Sequence, residues 1–366
     1  MKRAAPLKML ILGLTGQCNF ACVYCYADKH PQERMSVATA VKAVDMAAAG
    51  GKPFVLQFSG GEPLLAFDVL EEIAGYVKRK TIPALMQVQT NASLITPEMA
   101  DFFRKNRIGV GISLDGRPGQ NDLLRCLPNG AGTSHLIVRG ATILAAAHVE
   151  IGITCVVADS NVRQLAGIIE MAYYLGNVRK IGFDLLRAQG RGAGIRPANA
   201  QEVAAALAEA VHTARLLEQK TGKKLLFSHL ERVQSLAGKQ LTGFAHCHAM
   251  NGEAAFVDAR GETYACASLS GFPEYRLGNV EEGIDLQQQG QIGEFIRQSM
   301  AFCPSCSSFA LCGGACFARW YGAESPGAPY PPECALKNVF IKQYCQGIEN
   351  TSNNITNSVT VKGLSL

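Results

Sequence analysis

Three cysteines fall within eight positions in the stretch LTGQCNFACVYCYAD, at Cys18, Cys22 and Cys25, directly after a short apolar run. Thiolates hold soft metals, and both a tetrahedral zinc and a closed cubane iron-sulfur cluster ask for four protein ligands. Three thiolates therefore suggest a four-iron cluster with one iron open to a small chelating molecule; a zinc knuckle with a distant fourth ligand is the alternative. A second motif, FSGGEP from Phe58 to Pro63, offers Gly60 and Gly61, where a backbone can approach a ligand closely, and Glu62, which can pair with an ammonium group. The C-terminal third carries the most specific spacing. Cys247 is followed by thirteen residues, Gly261, four residues and Cys266; after a gap come Cys303, Cys306, Cys312 and Cys316, and after another Cys334. Thirteen cysteines clustered in this way in a large chain fit metal sites in a reducing compartment, the cytoplasm, better than a secreted disulfide scaffold.

These residues need a scaffold, and 366 residues with 48% hydrophobic and 18% charged content supply a sizeable core. The net charge of +5 is mild and no Lys/Arg block occurs, which argues against nucleic acid as a partner. No run approaches the roughly 18 apolar residues of a membrane span. The N-terminus, MKRAAPLKMLILGLTGQC, has the outline of a lipoprotein signal, but Gly13 breaks its apolar run and Gln17 stands where a small residue is needed, so it reads as a first strand. From Lys8 to about Arg187, the strand candidates KMLILGLT, PFVLQF, ALMQVQT, IGVGISLD, IGITCVV and KIGFDLL alternate with amphipathic segments such as Val37 to Ala49, Asp68 to Lys78, Pro97 to Lys105 and Val162 to Leu175. Such alternation predicts βαβ units and a parallel sheet, open or partly closed into a barrel, with its active site at the carboxyl ends of the strands. The first cysteine cluster lies at that end. The chain divides into 1–195, a helical bridge over 196–245, a separate cysteine-rich domain over 246–345, and a polar tail over 346–366 expected to be disordered.

CxxxCxxC at the end of a first strand, with Tyr24 just before the last cysteine and GGEP one βα unit later, resembles the radical S-adenosylmethionine (SAM) superfamily. The resemblance implies an α/β fold, a partial (β/α)6 barrel, in which SAM chelates the open iron through its amino and carboxylate groups and is cleaved reductively to a 5'-deoxyadenosyl radical. It implies a cofactor-binding role for Tyr24 and for Gly60, Gly61 and Glu62, the last three meeting the amino group of SAM. Asn91 in QTNAS, and Ser113 and Asp115 in ISLDG, resemble segments that meet the ribose or the substrate, and Arg125 lies where related enzymes carry a partner for the SAM carboxylate. Turn-forming Asn and Asp residues and a surface Arg are the plain alternatives at these positions.

The C-terminal spacing matches the seven-cysteine SPASM pattern, which implies a C-terminal iron-sulfur domain and three 4Fe-4S clusters in all, one binding SAM and two auxiliary. Carried over residue by residue, Cys303, Cys306, Cys312 and Cys334 would hold the outer cluster, and Cys247, Cys266 and Cys316 the inner. Cys126, Cys155 and Cys345 remain, Cys155 as a core thiol; His246 and His248 flank Cys247 but side chains beside a ligand tend to point away. The inner cluster thus has three thiolates, leaving an iron open for a substrate cysteine or closed by Cys345, Glu253 or a histidine.

SPASM-type enzymes mostly modify peptides, so the expected function is maturation of a ribosomally made peptide or small protein, by thioether or another crosslink, with flavodoxin or ferredoxin as electron donor. Ala267 stands where sulfatase-maturating relatives carry an Asp after Cys266, which disfavours formylglycine formation. Seven residues precede the first strand, so no fused leader-recognition domain is expected, and either a separate small protein, such as a leader-peptide-binding protein, presents the substrate or the barrel binds it directly. The runner-up is a tetrapyrrole side-chain-modifying enzyme, with Arg187, Arg191 and Arg196 receiving carboxylates; outside enzymes, the alternatives are an iron-sulfur electron carrier and a zinc scaffold.

Overall fold

The computed structural model describes residues 6–239, 243–323 and 327–361, with side chains as far as residue 348. Its centre is a single eleven-stranded sheet in the order β11-β10-β9-β8-β1-β2-β3-β4-β5-β6-β7. The six strands expected from the sequence are present: β1 (Met9–Gly13), β2 (Phe54–Ser59), β3 (Ala84–Thr90), β4 (Gly109–Ser113), β5 (Ile151–Val157) and β6 (Val178–Leu185). They pair in chain order and in parallel, from Leu10 beside Leu56 to Cys155 beside Phe183. Each crossover contains at least one helix, as parallel pairing requires. Ser36 caps the helix Val37–Ala48 by accepting from the Thr39 N–H at 3.0 Å, and Thr96 caps Pro97–Asn106 in the same way. Pro118–Leu124 and Ser134–Ala146 together fill the β4 to β5 crossover.

Alternation along these strands sets two environments. Leu10, Leu12, Leu56, Phe58, Val88 and Ile112 are buried in the apolar core. Several of the intervening residues are polar: Gln57, Gln87 and Gln89 belong to the lumen, where Gln87 Nε2 donates to Gln57 Oε1 at 2.7 Å and Gln89 Nε2 to Ser113 Oγ at 3.1 Å. A half-open polar lumen with an apolar outer layer is what a strand period of two produces when one face meets helices and the other a cavity.

The sheet does not close. At one end β7 (Leu226–Phe227) pairs in parallel with β6. At the other, the cysteine-rich part of the chain supplies β8 (Ala254–Val257) parallel to β1, then β9 (Glu262–Tyr264), β10 (Arg276–Asn279) and β11 (Gly283–Ile284) in antiparallel order. This part was expected to fold separately, and instead it continues the barrel sheet. The reason is that β1 would otherwise present a row of unpaired backbone groups; the four residues of β8 are buried and cover it. The bridge contains the helices Ala200–Thr221 and Ser228–Leu236. The tail also departs from expectation, since the helix starting at Pro331 runs to Val361, while 362–366 lie outside the described residues. No helix among the described residues is long and apolar enough to cross a membrane.

Phe256 in β8 is the side chain that locks the extension to the barrel: it is buried, lies against Gly13 and packs its ring 5.3 Å from that of His30. Phe256→Ala is expected to cost about 3–5 kcal/mol. A urea melt would check it, and an unchanged midpoint would show that β8 is held by its backbone pairing alone.

Candidate active site

The loop after β1 carries the first three cysteines and is tied down on several sides. Ala21 and Val23 donate backbone hydrogen bonds to the carbonyls of Cys126 and Leu124 at 2.7 and 3.0 Å, and Arg191 donates to the Cys25 carbonyl at 2.9 Å. The Phe20 N–H points at the Cys18 sulfur, 3.4 Å away, and Asn91 Nδ2 reaches the same sulfur at 3.9 Å. Asn91 is itself fixed, donating to Asn19 Oδ1 at 2.9 Å and accepting from Ser93 Oγ at 2.6 Å.

Gly60 and Gly61 explain why GGEP follows β2. A side chain on Gly60 would meet the Thr15 carbonyl oxygen at 2.3 Å, and one on Gly61 the Gln17 carbonyl oxygen at 2.3 Å. Gly60 also has φ +135°, a region that favours glycine. This proximity lets the Gly61 and Glu62 N–H groups donate to Thr15 and Gln17 at 2.7 and 2.8 Å. Both glycines still line the cavity, but the close approach they permit is to the cysteine loop itself.

Glu62 corrects the expectation from sequence. Its carboxylate is turned into the protein, accepting from Thr90 Oγ1 at 2.6 Å, Leu64 N–H at 3.1 Å and Asn91 N–H at 2.8 Å, and it is not among the cavity-lining residues. It joins the ends of β2 and β3 beneath the cysteine loop, so its effect on an ammonium would act through the backbone it holds. Asp115 is likewise behind the wall. Its carboxylate pairs with Arg125 at 2.9 Å, accepts from Val156 N–H at 2.8 Å and takes the Tyr24 hydroxyl. The Arg125 guanidinium lies 5.3 Å over the Tyr24 ring. Arg125, read alternatively as a surface residue, is buried, and its charge bears on the Cys22 thiol.

Cys18, Cys22, Cys25, Tyr24, Gly60, Gly61, Asn91, Ser113 and Arg125 line one cavity of about 560 Å³ at the carboxyl ends of the strands, a size suited to a small-molecule cofactor. Its opposite wall comes from Cys266, Ala267 and Ser268 of the C-terminal extension. The cysteines of that extension fall into two groups by mutual electrostatic influence: Cys247 with Cys266 and Cys316, and Cys334 with Cys303, Cys306 and Cys312. Burial pushes Cys18 and Cys247 up to about 12 and Cys22 and Cys334 up to about 11. Buried thiolates therefore need a cationic centre beside them, which a metal cluster supplies. Among the described residues no three His, Cys, Asp or Glu side chains gather as ligands of a single ion. A donor set of thiols spread about a cavity fits a cluster, whose irons each take their own ligand.

Buried charge surrounds the C-terminal groups, and sequence reading missed it. Arg319, three residues past Cys316, pairs with Asp184 at the end of β6 and with Glu333, the neighbour of Cys334; Lys337 lies 3.4 Å from Glu333. Burial raises the acids, but Arg187 and Arg319 outweigh it at Asp184, and Arg319 and Lys337 at Glu333, holding both at about 2. The available signal was charged residues adjoining cysteines. The three arginines proposed to receive carboxylates do not form one cluster. Arg187 and Arg191 line the cavity, whereas the Arg196 side chain is 79% exposed beside Asp159. Of the three groups considered for closing the inner site, Cys345 is exposed, on the helix roughly 16 Å beyond Cys334. Glu253 is engaged by Lys8 and His248, and His246 Nδ1 is buried without a partner.

A parallel α/β sheet bearing a three-cysteine loop at the carboxyl end of its first strand defines a class of protein, and the comparisons agree with it. Residues 12–172 match the family model for the Radical SAM superfamily. The uncharacterized protein MJ0907 of Methanocaldococcus jannaschii is 31% identical over 75% of this chain and 90% of its own length. Mycofactocin maturase MftC of Mycobacterium ulcerans is 30% identical, over 88% of this chain and 86% of its own. The solved structure of native anSMEcpe with bound AdoMet and Cp18Cys peptide shares the fold at 21% identity, with a TM-score of 0.78 over 96% of this chain and all of that one. The chain belongs to the radical SAM superfamily, whose enzymes bind SAM and a 4Fe-4S cluster.

Glu62 gives this site a pH signature. Burial raises its carboxyl from 4.5 to about 7, against the three hydrogen bonds that lower it. Between those values the folded state keeps a proton that the unfolded state has lost, so the contribution is full below pH 4.5, declines to about 7 and is level above. Glu62→Gln is expected to remove that decline from a plot of stability against pH, whatever its absolute stability. An identical slope in the variant would mean that Glu62 is ionised throughout.

Proposed function

We propose that this protein is a maturase that modifies a ribosomally made peptide or small protein by radical chemistry. The observation that carries the reading is the shared cavity: the thiols after β1 form one wall and Cys266 with Ala267 the other, leaving a chamber between two cysteine-bearing surfaces. The relationship to a maturase over most of both chains, and the likeness of fold to a structure holding a peptide, support a peptide as substrate.

Cys18, Cys22 and Cys25 would hold the SAM-binding cluster, Cys303, Cys306, Cys312 and Cys334 the outer auxiliary cluster, and Cys247, Cys266 and Cys316 the inner one. When bound, the first cluster and SAM supply a 5'-deoxyadenosyl radical able to take a hydrogen atom from carbon. The chain's own part is to hold and shield. Asn91 and the Phe20 N–H orient Cys18; Arg125, kept cationic by Asp115, offers positive charge beside Cys22 for a carboxylate of SAM; Gly60 and Gly61 leave backbone at the cavity wall for its amino group. Tyr24 and Asp115 position Arg125, and Ser113 faces the lumen. Ala267 offers no acid or base where it meets the cavity, which suits crosslinking better than formylglycine formation. An open inner iron beside Cys266 would hold a substrate thiolate near the carbon radical, an arrangement that suits thioether formation. A small redox protein such as flavodoxin or ferredoxin would supply electrons in the cytoplasm.

After anaerobic reconstitution about 12 iron per chain are expected, from the cubane count. With SAM and dithionite the protein should release 5'-deoxyadenosine, and Cys22→Ala should not. Stoichiometric zinc with no nucleoside above the Cys22→Ala background would replace this reading with a zinc scaffold.

A further inference from the structure

A chain of charged side chains runs through the interior from the outer cysteine group to the cavity. Lys337 lies 3.4 Å from Glu333, Glu333 pairs with Arg319, Arg319 Nε meets Asp184 Oδ1 at 3.0 Å, and Arg187 meets the other Asp184 oxygen at 2.6 Å. At its far end the Arg187 guanidinium sits 5.0 Å over the Tyr26 ring, and both residues line the cavity. None of the five charged side chains is more than 22% exposed. Replacing a buried ion pair by apolar residues is often neutral or stabilising, so stability alone does not account for this much charge in the interior.

The chain passes both C-terminal cysteine groups. Arg319 is on the short helix Phe317–Tyr321 that starts directly after Cys316. Glu333 and Lys337 stand one turn apart on the helix starting at Pro331, with Cys334 between them in sequence. Lys337 also donates to the Gly314 carbonyl, in the loop that joins Cys312 to Cys316. The charges act unequally on the two groups. Those of Arg187 and Arg319 bear on Cys316, and that of Arg187 also on Cys266. The outer group has the Lys337 charge at Cys303, but the Glu333 carboxylate acts against it at Cys334. Reducing an iron-sulfur cluster adds negative charge to it. A cation held nearby in the interior, where screening is weak, therefore raises its reduction potential, and an anion lowers it.

We propose that Arg319 and Arg187 raise the reduction potential of the inner auxiliary cluster, with Asp184 moderating both. The cluster on the chamber wall then takes up an electron more readily than its thiolates alone would allow. The proposal rests on the assignment of Cys247, Cys266 and Cys316 to a cluster and adds the residues that tune it.

The test is a potentiometric titration followed by electron paramagnetic resonance. It uses the reconstituted full chain carrying Cys18→Ala, Cys22→Ala and Cys25→Ala, which leaves the two auxiliary clusters and about 8 iron. Arg319→Gln is expected to lower one of the two potentials by about 59 mV or more, a tenfold change in the reduced-to-oxidised ratio of a one-electron couple. Arg187→Gln should lower the same one. In both variants Asp184 and Glu333 each keep a cationic partner, so neither has to take up a proton in place of the lost charge. Asp184→Asn is expected to raise that potential, and Arg319→Lys to hold it. A role confined to packing would move all four variants in one direction. Should Arg319→Gln lose iron, Arg187→Gln and Asp184→Asn decide the matter by their opposite signs. Unmoved potentials in iron-replete variants, or shifts of one sign throughout, would overturn the tuning while leaving the clusters in place. Zinc instead of iron in the background protein, with no auxiliary signal, would overturn the cluster assignment and the tuning with it.

Discussion

Everything at the mouth of this barrel depends on one backbone contact, the packing of Gly60 and Gly61 against Thr15, Gly16 and Gln17. No side chain fits between these two loops. The first cysteine loop is therefore held by the end of β2 without intervening atoms, and Glu62 passes the constraint on to β3 by capturing Thr90 and Asn91. Asn91 in turn reaches back to Cys18. Three strand ends thus fix one loop, and the three thiols face a common cavity because the sheet beneath them has no freedom to move them apart.

A second constraint acts on the far wall. The C-terminal extension covers the edge of β1 with β8, and Arg319 ties it to Asp184 at the end of β6. Breaking such a buried pair would strand a charge at a cost of roughly 3–5 kcal/mol. The extension is thereby clamped at both ends of the six-stranded block. Cys266 and Ala267 are delivered to the cavity as a fixed wall. Buried arginines and Lys337 next to the cysteine groups also supply positive charge where thiolates would carry negative charge.

The six barrel strands were legible because each is a short apolar or alternating run between turn residues, whereas the grouping of the C-terminal cysteines came from their resemblance to the SPASM pattern, since spacing alone sets Cys316 beside Cys303, Cys306 and Cys312. The continuation of the sheet through β8 was not legible, since four buried residues carry no sign of which strand they will cover. Glu62 shows a different limit. The sequence reveals a carboxylate after two glycines, but whether it faces a ligand or the protein depends on Thr90 and Asn91, reached only through the β2–β3 pairing. The tail misled for a local reason: its Asn, Ser and Thr residues lack a helical period, yet they extend a helix already anchored by buried Leu336, Val339 and Phe340. Extending an existing helix costs far less than nucleating one.

The claim that backbone contact at the glycines holds the cysteine loop is tested most directly by Gly61→Ala, followed by iron analysis and electron paramagnetic resonance of the dithionite-reduced protein with and without SAM. The added methyl group would have to displace the Gln17 carbonyl. The account predicts that about 8 of about 12 iron remain, the C-terminal clusters being untouched, and that SAM no longer alters the spectrum. Full iron content with an unchanged response to SAM would contradict it.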